Sequence, residues 1–486
     1  MLYLYTVHMG GENNVFGKWP AISKEQWLEQ IRRDLKGADF NEKLVSVFEG
    51  IRIQPVYTEA DVPPTVESGE TDFDADFEWE EEGTPITWSV CREMDFNKDS
   101  DIYTLGDPDR NNGAMCVRIS GDVPFFLQQF RLVRPAANHF TLHVDNDLSS
   151  PEIVNQYRDL INNLSGHQLY VTAIEFDPIG YWMKTGAIPN RDTSFNHLAD
   201  LFIKLAPKLH DCKLFHVDAT ITAEAGADIT DQLAYTLAIA TEYIEALLRR
   251  NIPLEEIIPL FHFRMSVGSN YFFEIAKLQA FQRLWINLVK AFDPDADFIM
   301  PAYIHAVVTQ TNIAAEDRHT NLLRSTTEAM SAILGGCEVL SVLPFDLHHT
   351  IKDENAERLA LNMQHLLRYE SSFDQYRNIA EGAYYLESIT TAIAEKAWNS
   401  FTQLQTDGGF ISNLQNGNIS KAIHNSRLQK EHMFENKNIE MVGVNIFQNA
   451  EEHVASTENI QPLNSETQFA PILPFYFNNK KGGTGA

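Results

Sequence analysis

Ile258-Pro-Leu-Phe-His-Phe-Arg-Met-Ser-Val-Gly-Ser-Asn-Tyr-Phe-Phe-Glu-Ile-Ala-Lys-Leu-Gln-Ala-Phe-Gln-Arg-Leu-Trp-Ile-Asn-Leu-Val-Lys-Ala-Phe292 reads as one complete βα unit. A short apolar run, Ile258-Phe263, has the length of a strand, and Tyr271-Phe292 carries apolar residues at helical spacing. The same alternation begins near residue 86. Strands are expected at Ile86-Val90, Ala114-Ile119, Phe140-Val144, Leu169-Phe176, Lys213-Ala219, Ile258-Phe263, Met300-Val308 and Glu338-Leu343. Amphipathic helices are expected at Pro151-Leu164, Ser194-Leu209, Thr230-Arg250, Tyr271-Phe292, Ala314-Leu334 and Asn355-Tyr369.

Eight such alternations close naturally into a (β/α)8 TIM barrel. A doubly wound open sheet is the alternative, but no G-x-G-x-x-G turn follows the first strand. The expected organisation is an N-terminal arm and acidic loop over 1-80, the barrel over 81-375, and a C-terminal helical wrap with a tail over 376-486. In the arm, Ser23 supplies a capping hydroxyl for a helix, and Val45-Tyr57 is extended chain turning at Gly50. After the barrel, helices are expected at Ile379-Leu404 and Ile419-Phe434, followed by an extended Glu440-Phe447. The wrap is too short for a further flavodoxin-like domain.

A chain of 486 residues, 44% of them hydrophobic, can bury a large core. Its formal net charge of −29 disfavours nucleic acid or an anionic membrane surface as partner. The run from Glu67 to Glu82 concentrates acidic residues among Phe73, Phe77 and Trp79; it reads as a solvated loop or as a docking strip for a basic surface. Cys91, Cys116, Cys212 and Cys337 are widely spaced, so neither a zinc site nor a disulfide framework is indicated, and a reducing cytoplasm is expected. No apolar stretch has the roughly 18 residues needed to span a bilayer. The tail from Asn478 to Ala486 reads as disordered.

His216, His262 and His305 lie on expected strands, and His348 and His349 follow the last one. None has metal-ligand spacing, and hydrogen-bonded core histidines are expected. Asp317-Arg-His-Thr-Asn-Leu322 and Asp346-Leu-His-His-Thr-Ile351 approach the D-x-H-x-x-G element that ligates cobalt but lack its glycine. No nucleophile elbow or P-loop is present.

Several stretches resemble the methylmalonyl-CoA mutase family: Trp27-Phe40, Glu49-Thr58, Glu224-Ala-Gly-Ala-Asp228, Leu233-Leu237, Phe263-Trp285, Glu381-Glu387 and Val442-Asn445. In catalytic chains of that family the substrate lies inside the barrel beneath adenosylcobalamin, and the protein binds, orients and shields the radical. The positions that match the family's chemistry are altered here. Trp88-Ser-Val-Cys-Arg-Glu-Met-Asp-Phe96 puts Glu93 where W-T-I-R-Q-Y-A-G-F has its tyrosine. Asn196 matches an arginine that pairs with the substrate carboxylate, and Ile221 matches a histidine that donates to the thioester carbonyl. Tyr303-Gln310 retains only His305 of R-T-H-S-Q-T-S-G, and Ser341-Leu347 matches the cofactor-facing H-T-N-A-L-D-E as mostly apolar residues.

The resemblance implies the family's small, barrel-only subunit. It would lack catalytic residues and bind no cofactor or metal itself. It would pair with a cobalamin-carrying catalytic large subunit, in a bacterial cytoplasm, with a homodimer as the alternative when alone. Its barrel axis is expected to be blocked by Ile221, Tyr303, Val307 and Leu347. An active acyl-CoA mutase chain that borrows a cobalamin domain is the second possibility. A TIM-barrel ligand-binding protein is the third, with Arg92, Glu93, Arg264 and His305 lining what remains of a cavity, unless they simply pair with one another.

Overall fold

The computed structural model describes residues 22–62, 88–96, 114–119, 139–144, 147–164, 171–206, 212–349, 353, 355–375, 379–448 and 467–477. The acidic run, the tail from Asn478 and the first residues of the strand expected at Ile86 lie outside these. The chain divides into two compact units, 1–62 and 63–486.

In the first unit, Ser23 Oγ accepts from Gln26 N and Gln26 Oε1 accepts from Ser23 N, closing a capping box on the helix Lys24–Asp34. A hairpin follows, β1 (Ser46–Phe48) with antiparallel β2 (Ile51–Ile53). Its turn places Glu49 at φ 47° and Gly50 at φ 78°, the pair of left-handed residues that a two-residue turn needs to match strand twist.

The second unit is a closed barrel of eight parallel strands: β3 (Ser89–Phe96), β4 (Ala114–Ile119), β5 (His139–Val144), β6 (Val171–Phe176), β7 (Lys213–Asp218), β8 (Phe261–Val267), β9 (Ile304–Val308) and β10 (Val339–Ser341). They are paired in chain order, and β10 closes on β3.

The strand β8 shows why the fold forms. All its residues are buried, but alternate ones face opposite layers. Phe261 and Phe263 face outward onto the helix Tyr271–Phe292, where Phe263 meets Phe281 and Trp285 with ring centroids 4.8 Å apart. His262, Arg264 and Ser266 face the barrel axis. Placing aromatic residues toward the helices and polar ones inside is consistent only with a closed, two-sided strand layer.

Several boundaries differ from the sequence expectation, and three of them have a local cause. Ile258–Leu260 is a 3-10 turn and β8 begins at Phe261, because Pro259 has no N–H for the ladder. The helix expected from Ala314 starts at Thr320, since Asp317 adopts φ 45° and accepts from Thr320 Oγ1. Glu440–Phe447 is a tight turn rather than extended chain: Met441 O accepts from the N–H groups of Val444 and Asn445, and Gly443 N donates to Ile446 O.

The long helix Tyr384–Thr406 packs its Ile389, Ile393, Ala394 and Ala397 face against the helices Ile229–Leu248 and Tyr271–Phe292, with an Arg283–Glu387 ion pair at 2.9 Å. The segment 467–477 then runs along the C-terminal rim of the barrel. Phe469 N donates to Gly186 O after β6, Phe475 N donates to Glu224 O after β7, and Tyr476 stacks near His348 after β10. No described helix is long and apolar enough to cross a membrane.

Candidate functional site

TIM barrels place their chemistry inside the barrel and at the C-terminal ends of its strands. Here the interior is built in layers. At the bottom, Cys91, Ala114, Cys116 and Val339 form an apolar plug with Tyr303 against it. Above it lies a polar layer of His143 (β5), Glu175 (β6), His216 (β7), His262 (β8) and His305 (β9), every one at most 4% exposed. Glu175 Oε2 lies 2.7 Å from His143 Nδ1, and its Oε1 lies 3.1 Å from His262 Nδ1. His262 and His305 stack with centroids 5.7 Å apart, and His305 Nε2 bonds Ser341 Oγ at 2.7 Å. Burial holds the His216 imidazole neutral and pushes His305 down to about 3.

The layer nearest the mouth is ionic. Arg264 Nη2 reaches both Glu93 oxygens at 2.6 Å, and Nη1 lies 3.7 Å from Asp218. Burial alone would raise both carboxyls, but beside Arg264 the Glu93 carboxyl falls to about 2 and Asp218 stays well below the usual carboxylate range. Asp218 also accepts from Thr220 and faces Lys184 at 3.9 Å. The arrangement neutralises charges inside the barrel. It leaves no described cation free to receive a substrate carboxylate at Arg264.

The residues singled out from sequence fall in different places. Glu93, Arg264 and His305 meet in the interior, with His305 Nε2 3.9 Å from Glu93. Arg92 does not join them: strand alternation turns it outward to an ion pair with Glu357 at 2.5 Å. Asn196 is exposed on the outer helix Arg191–Leu205, where it accepts from Arg250 Nε at 2.8 Å, so it occupies no carboxylate-reading position. Ile221 is buried in the short helix Thr220–Glu224 just past β7. Among the described residues, the apolar side chains expected to block the axis, Ile221, Tyr303, Val307 and Leu347, are a minor part of what fills the interior. Leu347 is only half-buried, and the filler along the axis is chiefly an ion-pair and histidine core.

Sequence reasoning missed His143, Glu175 and Asp218, although a polar residue at an alternate position of each strand was the available signal. It also left Glu224 as part of a motif without a task. Glu224 accepts from Ser266 Oγ, Thr309 Oγ1, and the N–H and Oγ1 of Thr311, tying the loop after β7 to β8 and β9. Gly226 beside it has φ 106°, and a Cβ there would lie 2.9 Å from Arg427. The Glu224-Ala-Gly-Ala-Asp228 stretch therefore works as a packing joint.

The sequence pattern of the methylmalonyl-CoA mutases matches residues 162–472, from the helix before β6 to the rim segment. The chain belongs to the methylmalonyl-CoA mutase family. It is 29% identical to the methylmalonyl-CoA mutase small subunit of Porphyromonas gingivalis over 90% of this chain and 72% of that protein. With the small subunit of Propionibacterium freudenreichii subsp. shermanii it shares 24% identity over 89% of this chain and 69% of the relative. The methylmalonyl-CoA mutase of Rhizobium meliloti is 27% identical over 56% of this chain and 37% of its own length. Small-subunit relatives thus match nearly the whole chain, whereas this longer mutase matches about half of it.

Proposed function

We propose that this chain is the non-catalytic small subunit of a methylmalonyl-CoA mutase, paired with a large subunit that carries adenosylcobalamin and performs the interconversion of methylmalonyl-CoA and succinyl-CoA. The observation that carries this is the Glu93–Arg264 pair. The position matching the family's catalytic tyrosine holds a carboxylate locked to a guanidinium across the barrel, and an acyl-CoA that displaced it would strand a buried guanidinium and a partly buried carboxylate.

The altered position at Ile221 and the histidine layer beneath support the same role. Burial of the acyl chain would require both layers to be dismantled, at a cost well beyond what a thioester could return. The chain's contribution is then binding energy: it stabilises the catalytic subunit by mass action.

The test is mutase turnover with adenosylcobalamin and methylmalonyl-CoA, for this chain alone and mixed with the large subunit of the same organism, with co-elution followed by gel filtration. Activity from the mixture only, in a stable complex, is expected. Turnover by this chain supplied with an isolated cobalamin domain would overturn the proposal.

A further inference from the structure

The polar layer of the barrel has a geometry that hydrogen bonding explains poorly. Glu175 Oε1, His216 Nδ1 and His262 Nδ1 form a triangle with sides of 3.1, 3.3 and 3.5 Å. Two of these are long for hydrogen bonds in a dry interior, and the two Nδ1 atoms face each other although each is an acceptor in one tautomer. Moreover, Glu175 Oε1 is buried without a hydrogen-bond partner. A buried orphaned acceptor calls for an explanation such as an ion.

The same triangle fits a tetrahedral metal. With metal–ligand bonds of about 2.0–2.1 Å, the edge between two ligand atoms is about 3.3 Å. An ion placed over the triangle would meet all three atoms at ordinary bond lengths. We propose that Glu175, His216 and His262 hold a divalent transition ion of the zinc class, chosen by an imidazole and carboxylate donor set. His143, whose Nδ1 lies 2.7 Å from the other oxygen of Glu175, orients the carboxylate from the outer shell. His305 belongs with Glu175 and His262 to a cluster whose candidate ligand atoms lie within 4.8 Å of one another, and its Nδ1 is buried without a hydrogen-bond partner, which makes it a candidate for the fourth position after a small shift.

An independent feature of the backbone points to the same spot. The β6–β7 ladder pairs Ala173 with Lys213 and Phe176 with Phe215, so β6 carries one extra residue in the stretch that contains Glu175. Such bulges re-aim a side chain at the expense of ladder bonds. An ion held by β6, β7 and β8 would clip the barrel together at one of its two irregular seams, a structural task that does not depend on which subunit performs catalysis.

The test uses the full chain, with its large subunit if the two purify as a complex, expressed in medium supplemented with zinc or with cobalt and passed over a chelator before gel filtration. Metal content by plasma mass spectrometry is expected at about one equivalent per chain, with the intense visible d–d bands of tetrahedral cobalt in the cobalt-grown protein. Glu175→Gln and His262→Gln should each lower retention at least tenfold, while the surface variant His424→Gln keeps the ion. Because the wild-type content and cobalt spectrum need no variant to fold, they decide the matter alone. Wild-type protein with under about a tenth of an equivalent and no cobalt bands, or full retention by His262→Gln, would overturn the site and leave a hydrogen-bonded histidine layer.

Discussion

Replacing Arg264 by Met tests whether the barrel interior is an ionic core. The guanidinium is 6% exposed and touches both oxygens of Glu93 at 2.6 Å, with Asp218 at 3.7 Å. Its removal leaves the buried Asp218 and the partly buried Glu93 carboxylates without their principal counter-charge. Breaking a buried pair from one side costs about 3–5 kcal/mol. The Glu93 carboxyl gives a second route to the size: it falls from 4.5 to about 2 despite the opposing effect of burial, chiefly through Arg264. That difference corresponds to about 3 kcal/mol at 1.36 kcal/mol per unit.

The sign follows from the direction. A carboxyl lowered in the folded state contributes stability that is complete above pH 4.5 and is lost as pH falls toward 2. Guanidinium unfolding of wild type, Arg264→Met, Glu93→Leu and the double variant, at pH 7 and at steps between pH 5 and 3, measures both effects. Arg264→Met should lose about 3–5 kcal/mol at pH 7 and show a much shallower acid limb, and the double variant should cost at least about 2 kcal/mol less than the sum of the singles. A single-variant cost under about 1 kcal/mol, or additive singles, would refute the reasoning.

Two further outcomes are expected. Burial pushes the Glu328 carboxyl up to about 8, against one hydrogen bond from Asn312 Nδ2 at 2.8 Å. A raised carboxyl contributes its full stability below pH 4.5 and loses it as pH climbs to 8, so Glu328→Gln should match wild type at pH 5 and exceed it at pH 9, by no more than about 5 kcal/mol; parallel melting-temperature profiles would contradict this. Burial also pushes the Cys91 and Cys212 thiols up to about 12, and Cys116 and Cys337 are likewise buried. A chromogenic disulfide reagent at pH 8 should therefore find no thiol on native protein within minutes and all four after denaturation; fast reaction of any native cysteine would show the interior to be open.

The amino-acid sequence determined the eight barrel strands, the helix Tyr271–Phe292, the Ser23 cap and the turn at Gly50, because periodicity, capping and turn chemistry act over a few residues. The resemblance to the family added the expectation that Glu93 and Ile221 stand where the family's chemistry is altered. What only the tertiary structure decided is where each side chain goes. Arg92 and Glu93 are neighbours in the chain, yet one faces the helix layer and the other the barrel axis, and that choice depends on barrel closure. Asn196 was matched along the chain to a substrate-binding position, but its helix turns it to solvent. The pairing of Glu93 with Arg264 and the meeting of Glu175 with His143, His216 and His262 join residues on separate strands. Such contacts arise from strand register around a closed sheet, which no local pattern encodes, and they make an interior that reads as refilled from sequence into one held by buried charge.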